Sequence, residues 1–234
     1  MFRFPPLTPF VKKLLIALVG LFIVTAVFDN FIGWRVSQLL ALDPRFLTPL
    51  SLLQLFTHVF VLLPVPGAVF SLALSCVFIW WILAPFEDRY GATRIMQLIV
   101  VAAVGAGLCA IVAGQLLPGL AAPIAGPHTI TLAAICAYAV LLPRHAEVSF
   151  FGLFPMRPQH LVLIVVAMSV LNFLTTRNAA ALLADMGAVG GGIAFVKWWM
   201  QKPPPRKRKA PSRKPPKLRV VRRNDDDDPK SWLN

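Results

Sequence analysis

Six long apolar runs follow one another along the chain, separated by short polar stretches or by Gly and Pro. They cover residues 12–32, from after Gly67 to about Pro85, 93–117, 126–142, 159–176 and 180–200. A helix needs about 20 apolar residues to cross a bilayer, so the runs predict six transmembrane helices, called spans 1 to 6. The long connection at 33–65 contains an apolar run at 50–63, which is too short to span and predicts an interfacial or re-entrant element.

The composition excludes a soluble domain. The chain is 57% hydrophobic and 14% charged, and its mean hydropathy is +0.70, whereas soluble domains carry about 25% charged residues. The predicted fold class is therefore an all-α polytopic membrane protein. Its predicted parts are an N-terminal segment at 1–13, a six-helix membrane domain at 14–200, and a disordered tail at 201–234 that is rich in Pro, Lys and Arg.

The distribution of positive charge predicts the topology. Of the 23 Lys and Arg residues, 12 lie in residues 202–234. Cytoplasmic loops are enriched in Lys and Arg. If six spans place both termini on one side, the opposite side holds only Arg35, Arg45 and Arg177. We therefore expect a multi-pass protein of the cell membrane or an inner membrane, with both termini cytoplasmic.

The basic tail predicts that the protein binds lipid headgroups. A polybasic cluster directly behind a span attracts anionic lipid headgroups, by about 1 kcal/mol per charge near the surface. The same composition is typical of nucleic-acid binding, but tethering to a membrane argues against it, so no nucleic acid is expected. The acidic run at 225–228 and the final segment with Trp232 fit either a solvated tail or a short docking peptide.

Two ionisable residues lie inside the predicted membrane domain, His128 near the start of span 4 and Asp185 near the start of span 6. Such residues are costly in a membrane and are functional candidates. Span 6 carries small residues at intervals of four, Ala184, Ala188 and Gly192, and these permit close helix packing. Span 4 offers a matching set at Ala133, Ala134 and Ala137. This packing predicts that Asp185 accepts a hydrogen bond from the His128 imidazole.

Several short motifs lie in the same order in this chain and in a known family. They are Leu53-Gln54-Leu55-Phe56-Thr57, Pro85-Phe86-Glu87-Asp88-Arg89-Tyr90-Gly91, Gly126-Pro127-His128-Thr129 and Ala184-Asp185-Met186-Gly187-Ala188. With this order the chain resembles the rhomboid superfamily of six-helix intramembrane proteins over about residues 14–200. The resemblance implies a six-helix bundle, with structural roles for Glu87, Gly91, Gly126, Ala188 and Gly192.

The resemblance also implies that the protease chemistry is lost. The positions that match the rhomboid Ser/His dyad are His128 and Asp185, and those that match its oxyanion pair are Ser71 and Ser75. A serine nucleophile needs a base within reach, and an oxyanion hole is worth roughly 3–4 kcal/mol. The resemblance therefore implies a pseudoprotease with no catalytic residues, cofactor or metal.

The expected function is the binding of client proteins by their transmembrane segments, in quality control, trafficking or regulation. A cavity between spans 2, 5 and 6 is the expected site. Its expected polar contacts are His128, Asp185, Asn172 and Ser169. A purely structural His128–Asp185 link between spans 4 and 6 is the simpler interpretation of that pair.

Three alternatives stay open. An active serine-type intramembrane endopeptidase with displaced residues would use Thr129 or Thr131 beside His128. A metal site would use His58, His128 and Asp185. A membrane scaffold would act through the basic tail alone.

Overall fold

A computed structural model describes residues 5–142, 148–150, 154–156 and 158–199. The predicted tail and the first four residues of the N-terminal segment lie outside the described residues. The described helices and strands are α1 (Pro9–Val27), α2 (Val36–Leu40), α3 (Ser51–Thr57), α4 (Ala68–Tyr90), α5 (Ala92–Leu116), α6 (His128–Leu141), β1 (Val148–Phe150), β2 (Phe154–Met156), α7 (Pro158–Thr176) and α8 (Ala179–Trp199). A π-helical turn, Phe28–Ile32, extends α1, and β1 pairs with β2 as an antiparallel hairpin.

Four of the six predicted spans correspond to helices that are long and apolar enough to cross a membrane. These segments are Pro9–Ile32, Ala68–Tyr90, Ala92–Leu116 and Ala179–Trp199. Span 4 corresponds to α6, which has only 14 residues and is about 21 Å long at 1.5 Å per residue. That length is shorter than the hydrocarbon core of about 30 Å. The apolar part of span 5, within α7, is also short.

The end of the second span differs from its prediction. A helix is expected to end at Pro85, because proline lacks an N–H and crowds the preceding turn, but α4 continues through it to Tyr90. Beyond the proline, Phe86 is fully buried and Glu87 binds another helix. These contacts hold the last turn in place until Gly91, whose φ of 84° ends α4.

Glu87 joins the end of α4 to the start of α1. The first N–H groups of a helix have no partner within it, and the side chain of Thr8 at the N-cap of α1 makes no capping hydrogen bond. The Glu87 carboxylate replaces that cap, because Oε1 accepts the N–H of Phe10 and Oε2 accepts the N–H of Val11, each at 3.0 Å. The negative charge also lies at the positive end of the α1 dipole.

Glycines bring α8 close to two neighbours. A Cβ on Gly192 would collide with the Ala133 backbone of α6, and one on Gly187 would collide with the Gly105 backbone of α5. The predicted contact between spans 4 and 6 is therefore confirmed, and fully buried Ala188 lies in the same helix. The more extensive contact of α8 with α5 was not predicted. Its signal is present in the sequence, as a run of small residues in α5 at Ala102, Ala106 and Ala110.

The connection before α4 is folded against the loop that precedes α6. Leu42 and Ile124 pair as an antiparallel bridge. The Gln54 amide donates to the Leu39 carbonyl at 2.9 Å, and the Thr57 hydroxyl donates to the Leu40 carbonyl at 2.8 Å. The predicted element at 50–63 is a helix only over Ser51–Thr57. These bonds place His58, the next residue, beside the start of α6.

Candidate binding cavity

A cavity of about 520 Å³ lies between α4, α6 and α7. Its walls are mostly apolar, and its polar lining residues are Ser71, Ser75, His128, Thr131, Ser169, Asn172 and Asp185. The predicted cavity between spans 2, 5 and 6 is therefore displaced, because its third wall is α6 and α8 contributes only Asp185. The physical reason is that the small-residue face of α8 already packs against α5 and α6.

The cavity is open between α4 and α7. The helix α4 packs on α1, α5 and α6, and α7 packs on α6 and α8, so any contact between α4 and α7 is slight. The helix faces beside this gap carry exposed apolar side chains, including Phe70, Leu74, Met168 and Leu171. In a membrane such faces contact lipid. The gap therefore opens the cavity sideways, towards these apolar faces.

His128 and Asp185 meet at this cavity. His128 Nε2 lies 3.3 Å from Asp185 Oδ1, and the side chains are 47% and 6% exposed respectively. The predicted proximity is therefore confirmed, but the predicted hydrogen bond is not formed, since the buried Oδ1 has no hydrogen-bond partner among the described residues. The ring lies at ion-pair distance without directing its N–H at the oxygen. Asp185 thus keeps an unused acceptor beside the cavity.

Gly126 creates the space that the imidazole occupies. Its φ is +137°, a value that glycine tolerates and L-residues rarely adopt. A Cβ at this position would lie 2.7 Å from His128 Nδ1. The Gly126 N–H donates to the His58 carbonyl at 2.9 Å. This turn therefore lies directly before α6 and leaves room for the His128 ring.

Gly126→Ala is expected to lower the free energy of unfolding by about 1–2 kcal/mol, because it combines an unfavourable φ with a collision against the imidazole. The change should also move His128 relative to Asp185. Thermal unfolding in detergent micelles measures the first effect, and the rate of His128 modification by diethylpyrocarbonate measures the second. Gly119→Ala is the matched control, since a Cβ there would meet nothing within 4 Å. Equal unfolding temperatures for the two variants would contradict this account.

A second cavity of about 200 Å³ adjoins the first, because His128 and Asn172 line both. His58 is buried beside it, with Nδ1 3.0 Å from the Gln54 carbonyl. Burial lowers the pKa of His58 to about 4, so the ring is neutral at pH 7. Its Nδ1 then donates to the carbonyl, and its Nε2 is an acceptor with no partner among the described residues.

The alternative chemistries find little support in this geometry. The Thr131 hydroxyl donates to the Pro127 carbonyl at 3.4 Å, as threonine in membrane helices commonly does, and Thr129 lines only the smaller cavity. Ser71 and Ser75 line the larger cavity from α4, and the Ser169 hydroxyl on α7, which lines the same cavity, donates to the Val165 carbonyl at 3.2 Å. Within the described part of the chain, no three His, Cys, Asp or Glu side chains converge as a metal site would need.

Asn178 is a site residue that the sequence interpretation missed. Its Oδ1 accepts the N–H of Ala181, three residues on, and that of Ala122 in the loop before α6, both at 3.2 Å. It therefore caps α8 and ties the helix to that loop, and its side chain lines the smaller cavity. An Asn directly before an apolar helix is a strong capping signal, so the sequence contained the evidence.

The four apolar helices of membrane-spanning length in the described part of the chain define a multi-pass integral membrane protein. The family model described as eukaryotic integral membrane protein (DUF1751) matches residues 12–210. The chain belongs to this family. No curated protein matches the chain.

This family assignment corrects the resemblance to rhomboids, which is wrong: the matching model is that of a different family. The motifs behind the resemblance have local physical causes. Gly91 ends α4 with a positive φ, Glu87 caps α1, and Gly126 makes room for His128. Helix bundles of many families need such features. The interpretations as pseudoprotease and as protease relative lose their basis with the resemblance.

Proposed function

We propose that this protein binds transmembrane segments of client proteins in the cavity between α4, α6 and α7, without catalysing a reaction on them. The observation that supports this most is a buried Asp185 oxygen without a hydrogen-bond partner, beside a mostly apolar cavity that is open between two helices. Polar residues facing a membrane interior are retained mainly where they serve a function.

The size of the cavity limits how a client docks. A helix with its side chains is about 10–12 Å wide, so a cavity of about 520 Å³ takes a few side chains and not a whole helix. The client therefore lies along the gap between α4 and α7 and inserts polar side chains towards His128, Asp185, Ser169 and Asn172. Hydrogen bonds between membrane helices contribute about 0.6 kcal/mol each, at most about 1.7. Binding is accordingly weak and favours segments with polar residues.

The proposal includes six spans with both termini in the cytoplasm. The helices α6 and α7 supply the two further spans, and the short α6 crosses the core while surrounded by α4, α5, α7 and α8. The basic residues of the tail support the orientation and give the protein a second contact, with anionic lipid headgroups. Under this topology His128 and Asp185 lie towards the non-cytoplasmic surface.

The test uses the purified full chain in lipid nanodiscs and synthetic transmembrane peptides. A poly-Leu peptide with two Asn residues inside its span should bind about eightfold more tightly than the all-Leu peptide, as expected for two hydrogen bonds of average strength. Fluorescence energy transfer between labelled peptide and nanodisc-held protein measures this. Ser71→Trp, which narrows the cavity, should remove the preference.

Val69→Trp is the matched control for this variant. Val69 is exposed on the same helix but does not line the cavity, so the preference should survive there. Equal binding of the two peptides to the wild-type protein would refute the proposal. Loss of the preference in both Trp variants would place the binding surface elsewhere.

A further inference from the structure

We infer that the larger cavity selects client segments that carry a basic side chain, Lys or Arg, through Asp185. This inference rests on the proposed function and specifies its partner. The polar lining residues of the cavity account for the binding of polar client segments in general. The carboxylate adds a charge, and the surroundings of that charge indicate what it binds.

The first observation is the state of the Asp185 side chain. It is 6% exposed, it faces the larger cavity, and its Oδ1 has no hydrogen-bond partner among the described residues. A buried carboxylate is unfavourable unless it is paired with a cation or hydrogen-bonded. Asp185 therefore has a buried oxygen that can still accept a hydrogen bond or pair with a cation.

The second observation concerns charge. Among the described residues, no Lys or Arg lines the cavity, and the ion pairs are Asp43–Arg45 and His128–Asp185. His128 is a poor permanent partner, because its side chain is 47% exposed and its N–H is not directed at Oδ1. The imidazole can thus turn aside without breaking a hydrogen bond to Oδ1, and the described residues supply no other cation beside it.

A basic side chain suits the Asp185 carboxylate better than a neutral donor does. Charge-assisted hydrogen bonds are roughly twice as strong as neutral ones, and a Lys or Arg that faces lipid is itself unfavourable. When the basic side chain enters the cavity, it and the Asp185 carboxylate each gain a partner of opposite charge. The long stems of these side chains also reach past apolar walls while the charged end finds a polar partner.

The position of Asp185 in α8 sets the depth of the matching residue. Asp185 lies six residues after Ala179, where α8 begins, which is about 9 Å along the axis. A basic residue about six positions from one end of the client span therefore meets Asp185. A basic residue at the centre of a 20-residue span lies about four residues too deep.

The test uses single-Lys peptides with the full chain in nanodiscs. A poly-Leu peptide with one Lys about six residues from the end of its span should bind about tenfold more tightly than the same peptide with that Lys acetylated, which keeps the length but removes the charge. The peptide with a central Lys should show a smaller gain. Asp185→Asn should reduce the tenfold gain to less than twofold.

The outcomes separate this inference from the proposed function. If the Lys and acetyl-Lys peptides bind the wild-type protein equally and the two-Asn peptide still binds, the charge selection is wrong and the client site stands. If none of the polar peptides binds more tightly than poly-Leu, the proposed function itself fails. The acetyl-Lys comparison needs no protein variant, so the result does not depend on whether Asp185→Asn folds.

Discussion

Glu87→Ala is expected to lower the free energy of unfolding by about 2–3 kcal/mol. The change removes two hydrogen bonds from a carboxylate to the N–H groups of Phe10 and Val11, and bonds to charged groups contribute about 1.5–3 kcal/mol each before relaxation. It also removes a negative charge from the N-terminus of α1, whose own N-cap side chain offers no replacement. Thermal unfolding in detergent micelles measures the loss, and hydrogen exchange at Phe10 and Val11 localises it.

Two further variants separate the cap from a general charge effect. Glu87→Gln keeps an acceptor oxygen without the charge and should fall between wild type and Glu87→Ala. Asp88→Ala removes the neighbouring acid, which is exposed, and should change stability by less than about 0.5 kcal/mol. If Asp88→Ala destabilises the protein as much as Glu87→Ala does, the specific cap is not the cause.

The long helices were accessible to sequence reasoning where the chain itself marks their ends. Span 3 is predicted at 93–117 and α5 covers Ala92–Leu116, because Gly91 precedes it and an apolar pattern fills it. Span 2 is predicted too short because the contacts that extend α4 come from α1. Glu87 lies 77 positions from Phe10, and a local sequence pattern cannot predict a helix cap formed by residues so far apart in the chain.

The sequence predicted the proximity of His128 and Asp185, but it did not predict which helices enclose the cavity. Small residues in span 6 correctly bring Asp185 to His128, since close packing of helices follows from missing side chains. The unformed hydrogen bond depends on the orientation of the imidazole, which the spacing of small residues in the sequence does not determine. The prediction of the enclosing helices was wrong because α8 also packs on α5. This contact leaves α6 and α7 to enclose the cavity together with α4.

Gly187→Ala is expected to lower the free energy of unfolding by about 3 kcal/mol, the largest effect of any alanine substitution considered. A Cβ at Gly187 would collide with the Gly105 carbonyl and approach Cys109 Sγ within 2.9 Å. The obstacle on α5 is backbone, so relief requires the two helices to separate, and overpacking of this kind costs about 1–3 kcal/mol. Asp185 lies two residues earlier in α8, so separation should also shift its carboxylate away from His128. Thermal unfolding and the peptide-binding preference report the two consequences.

Gly190→Ala provides the matched control within the same helix. Gly190 is exposed and a Cβ there would meet nothing within 4 Å, so alanine should leave stability unchanged or raise it by up to about 1 kcal/mol through better helix propensity. The contrast between the variants isolates the close approach of α8 to α5 from the general effect of replacing glycine. Similar losses at both positions would mean that helix flexibility, and not contact with Gly105, sets the requirement for glycine. A Gly187→Ala protein that stays stable but loses its peptide preference would instead show that this contact serves mainly to hold Asp185 at the cavity.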